Sequence, residues 1–133
     1  MIAKLSKYKD IPKASIFLSG SKSESNRLLI LQALYPDIEI ANIAFCDDTT
    51  VLQKALASQE DMLDIHHAGT AMRFLTAYLA ATTQKEITLT GSPSMLQRPI
   101  GPLVAALRGM GAAITYTGKQ GYPPLKIAPA ALS

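Results

Sequence analysis

The sequence predicts a mixed fold in which short strands alternate with helices, of the α/β or α+β class. Apolar residues recur at helical spacing, as at Met72, Leu75 and Leu79. Short alternating or β-branched runs lie between these stretches, as at residues 86–90. Gly, Pro, Ser and Asp clusters punctuate the junctions. The 133 residues are enough for one domain with a core of its own. Apolar residues make up 48% and charged residues 17%, which excludes a disordered chain.

In chain order, residues 1–8 read as a short strand with Ile2, Lys4 and Ser6 on one side, broken by Asp10, Ile11, Pro12 and Lys13. A second strand is expected at 15–19. At Gly20 the pattern turns helical, and Ser21 followed by Glu24 has the form of a capping box, so a helix is expected at 22–35. Pro36 stops it, because proline cannot continue a helix. Residues 38–45 read as a strand. Asp47 to Thr50 read as the cap of a helix over 51–58, with Leu52 and Leu56 on its inner face. A short strand at 62–66, a helix at 71–82 and a strand at 86–90 follow. Pro102 is tolerated in the first turn of the next helix. Leu103, Leu107 and Met110 are its expected core face, and Gly109 and Gly111 its end. Strands at 113–117 and 125–128 are expected to form a hairpin across Gly118 to Gly121.

The chemistry concentrates at 20–27. A helix start leaves backbone N–H groups free and carries partial positive charge. Lys22 adds a full charge, Ser21, Ser23 and Ser25 add hydroxyls, and Arg27 lies about one turn after Ser23. This reads as a phosphate or carboxylate site; the alternative is an ordinary capped helix. Arginines recur near two further helix starts, Arg73 and Arg98, a thin internal repeat. If those starts converge they make a polyanion pocket, since a guanidinium offers a planar fork of donors. Otherwise they are three solvated surface arginines. Gly69 and Thr70 would let backbone approach a ligand closely.

Other candidates carry less. Asp47 and Asp48 read as caps. His66 and His67, adjacent in a strand, would point to opposite faces and share no metal, so no metal site is expected. The one cysteine, Cys46, permits no internal disulfide, reads as an inert thiol and suits the cytoplasm. Residues 1–10 hold Lys4, Lys7 and Lys9 and have no signal-peptide core. No apolar run approaches the ~18 residues of a membrane span, so no membrane partner is expected. A net charge of +3 with 6% aromatics is weak grounds for nucleic acid.

Four segments in order resemble the 5-enolpyruvylshikimate-3-phosphate synthase family, the 3-phosphoshikimate 1-carboxyvinyltransferases. They are Ser19 to Arg27, Ala68 to Arg73, Arg98 to Leu103, and Gly121 to Leu125. The resemblance implies an α+β fold of repeated βαβαββ units, the inverse α/β barrel of the enolpyruvyl transferases. About two of the three units of one domain would be present. Residues 1–14 would belong to the partner domain, and 15–133 to a partial shikimate-3-phosphate-binding domain. The implied reaction moves the enolpyruvyl group of phosphoenolpyruvate to the 5-hydroxyl of shikimate 3-phosphate, with no metal or organic cofactor. Lys22 would touch both substrates and stabilise developing charge. Ser23 and Arg27 would hold shikimate 3-phosphate, and Gly69 and Arg98 would hold phosphoenolpyruvate. His67, Thr70 and Arg73 would support the site.

The sequence departs from the family pattern in places. His67 stands where Asn is usual, Gln97 where Glu is usual, and Ser94 where a basic residue is usual. The short spacer from Asp48 to Ala68 implies a lost hairpin in the first repeat. Ala130 to Ser133 reads as a truncation point, with the rest of the enzyme, including its C-terminal domain, beyond it. A lone fragment is then expected to bind without turnover, to expose an apolar patch and to self-associate. Two rival functions remain: UDP-N-acetylglucosamine enolpyruvyl transferase, opposed by Ser23 after Lys22 and by the cysteine-free loop 91–97, and a non-catalytic RNA-binding module of the same repeat fold.

Overall fold

The computed structural model describes residues 2–7 and 13–133. Four α-helices and four strands follow in the order α1 (Lys22–Leu34), α2 (Asp47–Ala57), β1 (Met62–Asp64), α3 (Gly69–Thr82), β2 (Ile87–Thr90), α4 (Gly101–Gly109), β3 (Ala113–Tyr116) and β4 (Leu125–Ala128). A 3-10 turn at Met95–Gln97 precedes α4.

The sheet order is β1-β2-β4-β3. β1 and β2 are parallel, joined by the crossover helix α3, whereas β4 runs antiparallel between β2 and β3. From β1 to β4 the chain therefore completes one βαβαββ unit. Before it stand the two helices α1 and α2 alone, and α2 leads into β1 through residues 58–61 with no hairpin between. The sheet has one wet and one dry face, as its alternation requires. Leu63, Ile87, Leu89, Ile114, Leu125 and Ile127 are buried, while Met62, Asp64 and Lys126 are exposed. α3 lays Met72, Leu75 and Leu79 on the dry face and packs against α1, α2 and α4.

Helix ends follow local chemistry. Ser21 caps α1 by accepting from the Glu24 N–H at 3.5 Å. α4 begins with Pro102 in its first turn. Its end is a Schellman motif: Ala112 N–H donates to Leu107 O and Gly111 N–H to Arg108 O, both at 3.0 Å. That motif needs a left-handed residue, and Gly111 has φ +97°.

Several expectations are corrected. Residues 15–19 form no strand, and Phe17 there is 101% exposed. The local pattern is strand-like, but a strand is stable only beside another, and no neighbouring strand pairs with it. Residues 38–45 form none either. Asn42 adopts φ +52°, and the Ala44 N–H is given to Ser25 Oγ at 2.9 Å. Residues 2–7 are exposed and not strand, and the break at residues 10–12 lies outside the described residues. The cap of α2 is Cys46, so Asp47 and Asp48 lie within the first turn. On α4 the buried pair is Val104 and Leu107, and Met110 is exposed because it follows the last helical turn.

The expected apolar patch is present. Ile16, Phe17, Leu18 and Leu34 are exposed, and Ile30, Leu31, Leu34, Phe74, Ala77 and Tyr78 line a groove of about 500 Å³ between α1 and α3. Among the described residues, no helix is long and apolar enough to cross a membrane.

Gly111→Ala should cost about 1–2 kcal/mol in urea unfolding, since it forces a Cβ into left-handed backbone and brings it 2.8 Å from Ala131 O. Gly109→Ala, where a Cβ meets nothing within 4 Å, should be neutral or gain up to ~0.5 kcal/mol.

Candidate anion-binding site

The three arginine segments meet. One cavity of about 460 Å³ is lined by Lys22 and Arg27 of α1, by Gly69, Thr70 and Arg73 of α3, and by Arg98 from the turn ahead of α4. His67, Phe74 and Asp48 complete the wall. Four cationic side chains thus face one carboxylate, and the cavity carries a positive field suited to anions. The three arginines are solvent-exposed, as the alternative of solvated surface arginines has it, but they line one cavity.

Each cation is placed by a different device. Lys22 is the first residue of α1, and its Nζ lies 3.4 Å from Asp48 Oδ1 at the start of α2. Arg27 donates through Nη1 to Ser23 O at 2.8 Å, and its Cζ stands 5.5 Å from the centre of the Phe74 ring, a cation–π distance. Arg73 donates to Gly69 O at 3.2 Å and to Pro99 O at 3.1 Å, so its guanidinium straps α3 to the segment carrying Arg98. Arg98 crosses over Gly69. A Cβ on that glycine would sit 2.8 Å from Arg98 Nη1.

The buried face of α1 sets polar Ser25 and Asn26 beside apolar Leu29. Asn26 is fully buried and its Oδ1 accepts from Thr49 Oγ1 at 3.1 Å, which ties α1 to α2. Among the described residues, the Asn26 amide Nδ2 finds no partner. Ser25, counted as a hydroxyl donor for the site, is instead buried against Ala44, and Ser21 is spent on its cap. Ser23 does not line the cavity; it is exposed on the same turn as Lys22, and its carbonyl holds Arg27.

The helix starts also differ from expectation. The N–H groups of Ile100 and Gly101 donate to Gly121 O, at 2.9 and 3.1 Å, so the hairpin tip consumes the first donors of α4. The start of α3 has no side-chain cap, and Gly69 and Thr70 there face the cavity. His66 and His67 are not in β1. The Asp64 carboxylate accepts the His66 N–H at 2.8 Å and ends the strand, His66 adopts φ +48°, and His67 alone reaches the cavity.

Asp48 and Phe74 were missed as site residues. Each acts on a partner far away in sequence, so neither spacing nor periodicity marks it. In the sequence Asp48 is one more acid at a helix start, and Phe74 one more apolar residue of α3.

Comparison with known proteins now decides the family. A family model described as EPSP synthase (3-phosphoshikimate 1-carboxyvinyltransferase) matches residues 47–133. The chain belongs to the EPSP synthase family. The 3-phosphoshikimate 1-carboxyvinyltransferase of Bacteroides fragilis strain YCH46 is 53% identical over 116 residues, covering 86% of this chain and 28% of the relative. That of Bordetella pertussis is 40% identical over 149 residues, covering 90% and 34%. An EPSP synthase structure from Acinetobacter baumannii superposes with a TM-score of 0.74 at 23% identity, covering 88% of this chain and 32% of that one. That similarity carries the fold. The chain therefore spans about a third of the length of the EPSP synthases it matches.

Gly69→Ala should displace the Arg98 guanidinium without unfolding the chain. The check is the Arg98 side-chain Nε–Hε resonance, expected to shift while the resonances of β3 and β4 stay in place.

Proposed function

We propose that this chain supplies part of the substrate site of an enzyme that transfers the enolpyruvyl group of phosphoenolpyruvate to shikimate 3-phosphate, in chorismate and aromatic amino acid biosynthesis. One observation carries the reading: cationic and amide donors from three separate segments line a single cavity. Both substrates are small polyanions, and such donors are what a polyanion needs.

In this reading Arg27 holds shikimate 3-phosphate at its carboxylate, its fork kept in place by the Ser23 carbonyl and the Phe74 ring, and Ser23, exposed beside Lys22 and outside the cavity wall, adds its hydroxyl from the rim. Gly69 and Arg98 hold phosphoenolpyruvate. The 5-hydroxyl oxygen gives up its proton and adds to C2 of phosphoenolpyruvate, the methylene carbon gains a proton to become a methyl, and a tetrahedral adduct forms. Loss of phosphate from C2 and of a proton from that methyl then restores the double bond. Lys22 faces both substrates and stabilises the charge that develops between them. His67, Thr70 and Arg73 support the site, Arg73 through the two backbone carbonyls it bridges.

The chain's partners on this reading are its two substrates and the C-terminal domain of the enzyme. The exposed apolar surface supports self-association of the chain by itself. The chain alone binds shikimate 3-phosphate weakly and does not turn over, because the cavity is open and only part of the family's length surrounds it. Such a chain should belong to the cytoplasm.

Isothermal titration with shikimate 3-phosphate tests the assignment. The Arg27→Ala chain should bind at least about tenfold more weakly, the scale of a lost charge-assisted pair. Equal heats from both proteins reject it. Release of phosphate from the two substrates by the purified chain would reject the inactive-alone part.

A further inference from the structure

Asp48 is the one acidic group lining a cavity of four cations. Its side chain is only 18% exposed, whereas Asp47 beside it is exposed and lines no part of the cavity. Both acids sit in the first turn of α2, where a negative charge is favoured by the helix dipole. Asp47 is enough to serve that purpose from solvent. Asp48 is instead turned across to α1, with Oδ1 3.4 Å from Lys22 Nζ. The ammonium is half exposed, so the pair contributes little to stability. Its effect falls on the cavity.

We propose that Asp48 is a positioning and specificity residue: it fixes the Lys22 ammonium and offsets one positive charge, so that the cavity does not tighten on any small anion. A lysine ammonium is a compact charge on a flexible stem. Left without a countercharge it would follow whichever anion arrived. Free phosphate, carrying charge but little shape, would gain most. A larger anion with fixed spacing between its charged groups needs the ammonium held at one place.

The test uses the whole chain and two probes. Inorganic phosphate is titrated by NMR, reading the amide resonances of Gly69 and Thr70, for wild type, Asp48→Asn, Asp48→Glu and Asp47→Asn. Asp48→Asn should bind phosphate about fivefold more tightly, the effect of one unit charge a few ångströms away in a water-rich site. Asp48→Glu should return toward wild type, and Asp47→Asn should match it. A substitution that merely damages the fold weakens binding, so the increase marks the countercharge role. Should Asp48→Asn fail to fold, Asp48→Ser carries the same expectation. Phosphate affinity that is unchanged or weaker in every folded neutral variant at residue 48 overturns the inference, as does a wild-type chain that shows no phosphate response.

Shikimate 3-phosphate is the second probe, and this arm rests on the proposed function. Asp48→Asn should bind it several-fold more weakly while binding phosphate more tightly. A wild-type chain that takes phosphate but not shikimate 3-phosphate sinks the functional proposal and leaves the countercharge role standing. Neutral variants that bind both anions like wild type sink the inference alone.

Discussion

Helix ends can meet at one point only where the residues at the crossing are small. The chain meets that constraint at the start of α3. Ala68 and Ala71 are almost wholly buried, and Gly69 lies under the Arg98 side chain, where a Cβ would displace the Arg98 guanidinium. From there α3 runs through the middle of the molecule, against the dry sheet face on one side and α1 and α2 on the other. A larger residue at position 69 would displace the Arg98 guanidinium, and one at Ala68 or Ala71 would crowd the core that holds the sheet. The packing of α3 and the geometry of the cavity are therefore one requirement, met by a few small residues.

Much of the fold was legible because its cause is local. α1 starts where Ser21 and Glu24 place it, α4 ends where Gly111 permits a left-handed turn, and β4 falls on the expected residues, 125–128. The errors have a common source. Residues 15–19 and 38–45 carry strand-like composition, yet a strand is made by its neighbour, and composition does not name the neighbour. The arginines at three helix starts, Arg27, Arg73 and Arg98, raised convergence as one of two readings, and the three line one cavity. The donors themselves were harder to assign. Ser25 is buried and accepts the Ala44 N–H, and the first N–H groups of α4 donate to Gly121 O, contacts set by tertiary packing alone. For the same reason Phe74 carried no mark in the sequence, and Asp48 was read only as a helix cap.

Four cations around one cavity repel each other, and three of them have a partner within the chain. Arg27 has a carbonyl and an aromatic face, Arg73 has two carbonyls, and Lys22 has a carboxylate. Arg98, among the described residues, has no side-chain hydrogen bond within the chain. The polar seam beneath α1 serves the same end. Asn26 and Thr49 fix the two helices in register, where apolar contacts would have let them slide.

The double grip of Arg73 has a mechanical meaning. By clasping the carbonyls of Gly69 and Pro99 together, it turns two lengths of chain from different parts of the repeat into a single jaw. A visitor to the cavity would press on that jaw as a whole. Residues 69 and 98 would then keep their spacing under load.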